Sequence, residues 1–166
     1  METTFYSSRQ DKELKITIPY RRFTNKLKPS QLQFLYENFV LRCENDEKKL
    51  KYFFINSKEI KELKRQLKFE LSPIKPNKNS SIDTYTKDNE FIFFNNKNSA
   101  IASLLFHIRN VFVHNRIYVS NTGTIELIDV APKGKNKQSN RITMYAKVSS
   151  FSKLKQILLG IIDTQL

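Results

Sequence analysis

Six apolar side chains, Leu32, Leu35, Tyr36, Phe39, Val40 and Cys43, recur in steps of three and four residues. That spacing lays one continuous stripe along a helix and does not suit a strand, whose side chains alternate between two faces. A stripe this wide must be covered by another element, so the chain has to build a packed core around it. The helix starts near Ser30, an N-cap placed after Pro29.

Further helical stripes follow. Residues 44–49 are highly charged and read either as a turn or as a solvated helical surface, after which Leu50, Phe53 and Phe54 resume an apolar face. Ser57 caps a helix with Ile60, Leu63, Leu67 and Leu71 on one side, stopped by Pro73 and Pro76. Asn98 or Ser99 caps a helix that runs to about Asn115, with Ile101, Leu104, Leu105, Ile108, Val111 and Phe112 as its core positions. Ser150 caps a last helix that buries Phe151, Leu154, Ile157, Leu158, Ile161 and Ile162.

Strand signals are fewer. Residues 117–119 and 124–130 flank Ser120-Asn121-Thr122-Gly123, a turn signal ending in glycine, and residues 141–148 alternate again. Residues 72–90 read as a long polar connection, and Phe91-Ile92-Phe93-Phe94 as either a buried strand or a helix lead-in. Leu14, Ile16 and Ile18 alternate within a polar, basic stretch, limited by Pro19. The expected fold is mainly α: a bundle of four to five helices with a small antiparallel β insertion at about residues 117–148, before the C-terminal helix. A length of 166 residues fits one domain, here residues 30–166, preceded by a basic arm over residues 1–29.

The chain carries 29 Lys and Arg against 16 Asp and Glu, a net charge of +13. Such an excess opposes compaction by self-repulsion and suits a polyanionic partner, above all nucleic acid. AT-rich coding bias is a second source of a composition rich in Lys, Asn, Ile and Phe. The single cysteine, Cys43, rules out an internal disulfide and a Cys-rich zinc site, and reads as a small core residue. The N-terminus has no apolar signal core and the apolar runs are too short to span a bilayer, so the expected location is the cytoplasm, without a membrane partner.

The chemistry-bearing segment ends the third stripe: His107-Ile108-Arg109-Asn110-Val111-Phe112-Val113-His114. An imidazole titrates near neutrality and serves as base or acid. A guanidinium is always cationic and its planar fork fits phosphate oxygens. Together they suit RNA cleavage by attack of the 2′-OH on the adjacent phosphorus, with no metal and no cofactor. Asn110 lies four residues before His114, so its amide can orient the imidazole or hold a phosphate oxygen. Arg109 and His114 are about 140° apart on an ideal helix. Arg109 therefore either reaches a cleft along its long stem or makes a structural ion pair. His114 also fits a plain role at the helix C-terminus. His107 shares the polar face with Asn110 and His114, as a site member or as a surface or interfacial residue. Arg116, Lys133, Lys135, Lys137 and Arg141 cluster near the hairpin and read as RNA-backbone contacts or as a solvated loop.

Arg109, Asn110 and His114 form an Arg-x4-His pattern with Asn after the Arg. In this the chain resembles the HEPN superfamily, small helical-bundle proteins of prokaryotic toxin–antitoxin and antiphage systems. The resemblance spans residues 30–166, and one HEPN branch also has a β-hairpin before the last helix. It implies a metal-independent endoribonuclease, a toxin or abortive-infection effector with Arg109, Asn110 and His114 as catalytic residues. It also implies a homodimer in which two motifs line one cleft, and a possible cognate antitoxin. Non-catalytic HEPN modules, which bind RNA or a protein partner, are the alternative it leaves.

Overall fold

The computed structural model describes residues 6–7, 18–19, 23–45, 55–76, 82, 87–96, 99–132 and 140–165. Among them, short pieces β1 (Tyr6–Ser7) and β2 (Ile18–Pro19) pair with each other. Six further strands form one sheet: β3 (Phe23–Asn25), β4 (Glu70–Ile74), β5 (Glu90–Phe94), β6 (Ile117–Ser120), β7 (Ile125–Pro132) and β8 (Asn140–Val148). Their order is β3-β6-β7-β8-β5-β4. All neighbours are antiparallel except β4 and β5, which run parallel.

Among the described residues, four helices accompany the sheet. Helix α1, residues 29–45, joins Pro29–Leu35 and Leu41–Asn45 through a π-helical stretch, Tyr36–Val40, where the Leu41 N–H reaches back to the Tyr36 carbonyl. Helices α2 (Lys58–Leu67), α3 (Ala100–Val113) and α4 (Phe151–Gln165) follow. Three of the four serine caps act as their positions suggest, whereas the first helix starts one residue earlier than read: Lys28 is its N-cap, Pro29 its first residue, and Ser30 lies inside the first turn. Ser57, Ser99 and Ser150 each accept a backbone N–H from the first turn that follows.

The mainly helical bundle with a small β insertion is therefore corrected to an α/β fold built on a mixed sheet. Three segments account for the difference. Phe23–Asn25, read as part of an arm, pairs with β6. Leu71 continues the helical stripe on paper, yet the chain leaves α2 at Lys68, which adopts a left-handed φ of 54°, and residues 70–74 become an edge strand. Pro73 is compatible with that edge because its missing N–H faces no neighbour. Phe91–Phe94, open between strand and helix lead-in, is the strand that joins β4 to β8.

Alternation along the strands separates two cores. Leu71, Phe91, Phe93, Ile117, Ile125, Leu127, Met144, Ala146 and Val148 face one way, into a cluster completed by side chains from all four helices. Phe94, Tyr118, Ile128, Ile142 and Tyr145 face the other way and meet Ile82. Cys43 lies in the larger core, as its place in the stripe implies. Helices α2 and α4 come close at Gly160, where a Cβ would stand 2.9 Å from Leu63 Cδ1.

Pairing of β7 with β8 is interrupted once. Asp129 faces Met144 but Val130 faces Ile142, so Thr143 is the extra residue of a β-bulge. The bulge lies beneath α3 and brings Asp129 and Thr143 together.

Candidate functional site

Helix α3 is held on nearly every side. Eight of its side chains are buried, and the outward stripe is Phe106, Arg109, Asn110 and Val113. These four fall at i, i+3, i+4 and i+7, one face of a helix. Phe106 and Val113 are large apolar side chains left 37% and 46% exposed, above and below the two polar ones.

The helix ends in a Schellman motif. His114 is the C-cap, and Asn115 follows with a left-handed φ of 51°. The Asn115 N–H bonds to the Phe112 carbonyl and the Arg116 N–H to the Val111 carbonyl. Asparagine tolerates this conformation better than most residues, because its side chain bonds locally. The motif turns the chain out at once into β6. His114 is thereby left exposed at the surface, its backbone N–H bonded to the Asn110 carbonyl at 3.0 Å. Lys26 closes the same end, donating through Nζ to the Asn115 carbonyl at 2.7 Å while lying 3.8 Å over the Tyr118 ring.

Arg109 is engaged by Glu44 at the end of α1. Its Nε and Nη2 donate to one oxygen, Glu44 Oε1, at 2.9 and 2.8 Å. Its Nη1 leans on Asn110 Oδ1 at 3.5 Å. Both ion-pair partners remain over a third exposed, at 36% and 37%. So the ion-pair reading of Arg109 is realised at the surface, not in a closed interior. Arg109, Asn110 and Glu44 form one constellation, and His114 sits one turn beyond Asn110 on the same helix end.

Two other sequence-picked residues are elsewhere. His107 is not on a surface with Asn110 and His114: it is 2% exposed, on the side of α3 that packs against the sheet. Its Nδ1 lies 2.7 Å from Asp129 Oδ2 and its Nε2 lies 2.8 Å from the Phe94 carbonyl oxygen. Asp129 also accepts from Thr143 Oγ1 and from the Val130 N–H. Arg116 is likewise buried rather than tracking a phosphate backbone, and its Nη1 lies 4.0 Å from Asp129 Oδ1. Both corrections have one cause. The strands that cover α3 bring a buried carboxylate, and the His107 imidazole and the Arg116 guanidinium gather around it.

Arg141 is half-buried and places its guanidinium 5.3 Å from the Phe94 ring centre. Lys133, Lys135 and Lys137 lie outside the described residues. Among the described residues no cluster of three or more His, Cys, Asp or Glu could hold a metal ion, and no helix is long and apolar enough to cross a membrane. Sequence reasoning missed Glu44 and Lys26. The partner of Glu44 is 65 positions away, and Lys26 sits in the segment read as an arm.

Comparison with protein-family models, with curated proteins and with solved structures finds no match to this chain.

Proposed function

We propose that the protein is a metal-independent endoribonuclease, with Arg109, Asn110 and His114 acting on a phosphodiester at the C-terminal end of α3. The reading rests on these side chains and not on a helical-bundle fold. The observation that carries it is the joint exposure of a fork-bearing cation, an amide and an imidazole on the last turns of a helix otherwise locked in the core. A rigid support fixes catalytic groups better than a loop does. The net charge of +13 favours an RNA substrate and speeds encounter with it.

Cleavage by this route needs a base for the 2′-OH and an acid for the leaving 5′ oxygen. His114 supplies one of these per chain. A second copy of this chain, set against Phe106 and Val113, supplies the other. Those exposed apolar residues flank Arg109 and Asn110, so a two-fold contact there brings two motifs together. The cellular role we assign is a toxin or antiphage effector acting on cytoplasmic RNA, with a cognate antitoxin as its natural restraint.

The test is direct. Purified protein is incubated with total tRNA and mRNA, with and without EDTA, beside His114→Ala. Cleavage that survives EDTA, leaves 2′,3′-cyclic phosphate ends and vanishes in the variant is the expected result. Equal cleavage by wild type and His114→Ala rules the reading out. The second reading, a binding module without chemistry, is favoured by the same exposed Phe106 and Val113, and predicts salt-sensitive RNA retention with no cleavage products.

The dimer is checked separately. Val113→Glu places like charges face to face across a two-fold axis, which costs several kcal/mol of association. Sedimentation should show a monomer, and cleavage should fall with it while the circular dichroism spectrum is unchanged. A dimeric, fully active Val113→Glu protein removes this interface from consideration.

A further inference from the structure

A guanidinium has a side-on edge, formed by Nε and Nη2, and an end-on edge, formed by Nη1 and Nη2. In Arg109 both N–H groups of the side-on edge go to Glu44 Oε1. The end-on edge keeps one contact among the described residues, Asn110 Oδ1 at the long distance of 3.5 Å from Nη1. The side chain is 36% exposed, so solvent reaches it.

We infer that Glu44 is a positioning residue for Arg109. It takes the side-on edge so that the end-on edge is presented outward to a phosphodiester of the RNA. This rests on the proposed nuclease reading and specifies how its cation is held.

Several features support the assignment. An isolated half-exposed ion pair contributes little to stability, so fold stability alone gives Glu44 weak reason to be there. One oxygen of Glu44 receives both bonds, which fixes the direction in which the side-on edge of the guanidinium points as well as its distance. Glu44 follows Cys43, a buried side chain of α1, and Arg109 is flanked in sequence by the buried Ile108, so both stems are anchored. The π-helical stretch Tyr36–Val40 adds a residue to α1 before Glu44 and so sets the rotation at which Glu44 leaves the helix. A carboxylate on one edge leaves the other edge free to grip a second anion bidentately. A lysine in place of Arg109 has no second edge to offer.

Two measurements decide it. The first reads the geometry through the Arg109 side-chain nitrogens by 15N NMR. In the wild type the Nε–H should exchange slowly and rotation about the guanidinium should be restricted. Both properties should be lost in Glu44→Ala and largely kept in Glu44→Gln, whose amide oxygen still accepts. Titration with an oligonucleotide carrying 2′-deoxy sugars, which cannot be cut, should shift the Nη signals and leave Nε–H in place. An unprotected Nε–H in the wild type, or its release by the oligonucleotide, overturns the role of Glu44. The second reads the rate. Glu44→Ala should lower kcat for RNA cleavage roughly tenfold to a hundredfold with KM little changed, as expected for a misplaced catalytic group. Glu44→Gln should recover most of it. Cleavage by the wild type with kcat unaltered in Glu44→Ala overturns the inference alone. A protected Nε–H whose Nη signals ignore the oligonucleotide, with no cleavage by the wild type, overturns both the phosphate role and the nuclease reading.

Discussion

Asp129→Ala is expected to lower the stability of the protein by about 3–5 kcal/mol, the usual cost of removing one partner from a buried ion pair. The carboxylate is surrounded: His107 Nδ1 at 2.7 Å, Thr143 Oγ1 at 3.3 Å, the Val130 N–H at 3.0 Å and Arg116 Nη1 at 4.0 Å. The imidazole is held between the Asp129 carboxylate and the Phe94 carbonyl, with one ring nitrogen against each. Removal of the carboxylate leaves His107 Nδ1 facing a buried cavity without its partner. Typical domains are stable by only about 5–15 kcal/mol, so the loss is a large fraction of the whole. Urea denaturation gives the test, through a lower midpoint at unchanged slope. The double variant His107→Leu with Asp129→Leu should lose less than the sum of the two single leucine variants, because neither member of the His107–Asp129 contact is then left facing an apolar group. A loss under about 1 kcal/mol in Asp129→Ala would mean that the network is decoration.

This network also shows what the sequence could not disclose. His107 lies seven residues before His114, and the helical wheel puts it on the polar side with Asn110. The wheel assumes that water covers the polar side. Here β5 and the bulge of β7 and β8 cover that part of α3, and the bulge supplies Asp129 as an acceptor. The partner is 22 positions away, and a bulge leaves no mark in an alternating strand pattern. Local signals fared better. Ser57, Ser99 and Ser150 cap their helices, and Gly123, with a φ of 87°, closes the turn between β6 and β7. Those features depend on backbone bonds a few residues apart. The sheet was hidden because β5 is a short apolar run whose periodicity suits helix and strand alike, because β4, Glu-Leu-Ser-Pro-Ile, carries a single buried apolar residue, and because their parallel pairing is non-local. Leu71 illustrates it, since four residues after Leu67 it completes a helical stripe that the chain does not build. Of the candidate site, Arg109, Asn110 and His114 were proposed from residue chemistry and spacing, and the structure adds that they lie at the outward, C-terminal end of α3. Glu44 was not, since only the packing of α1 against α3 makes it a neighbour of Arg109.

The position of Glu44 makes Arg109 the place where a structural and a catalytic role separate most widely. If Arg109 served only the ion pair, Arg109→Ala would lose at most about 1 kcal/mol, because both partners are over a third exposed and solvent screens them. That cost leaves the protein folded, so activity can be read without loss of structure. If Arg109 holds the phosphorane, the same change removes a preorganised positive charge from the developing dianion, worth about a hundredfold to a thousandfold in rate. Arg109→Lys then discriminates further. Lysine restores a charge but has no planar fork, so it cannot hold the Glu44 carboxylate with one edge and a phosphate with the other. The expected ordering in single-turnover cleavage is wild type far above Arg109→Lys, with Arg109→Ala at or just below it, while all three melt within a few degrees of one another. A rate for Arg109→Lys close to wild type would show that a point charge suffices and that the fork geometry is irrelevant. Three equal rates would reduce Arg109 to a strut between α1 and α3.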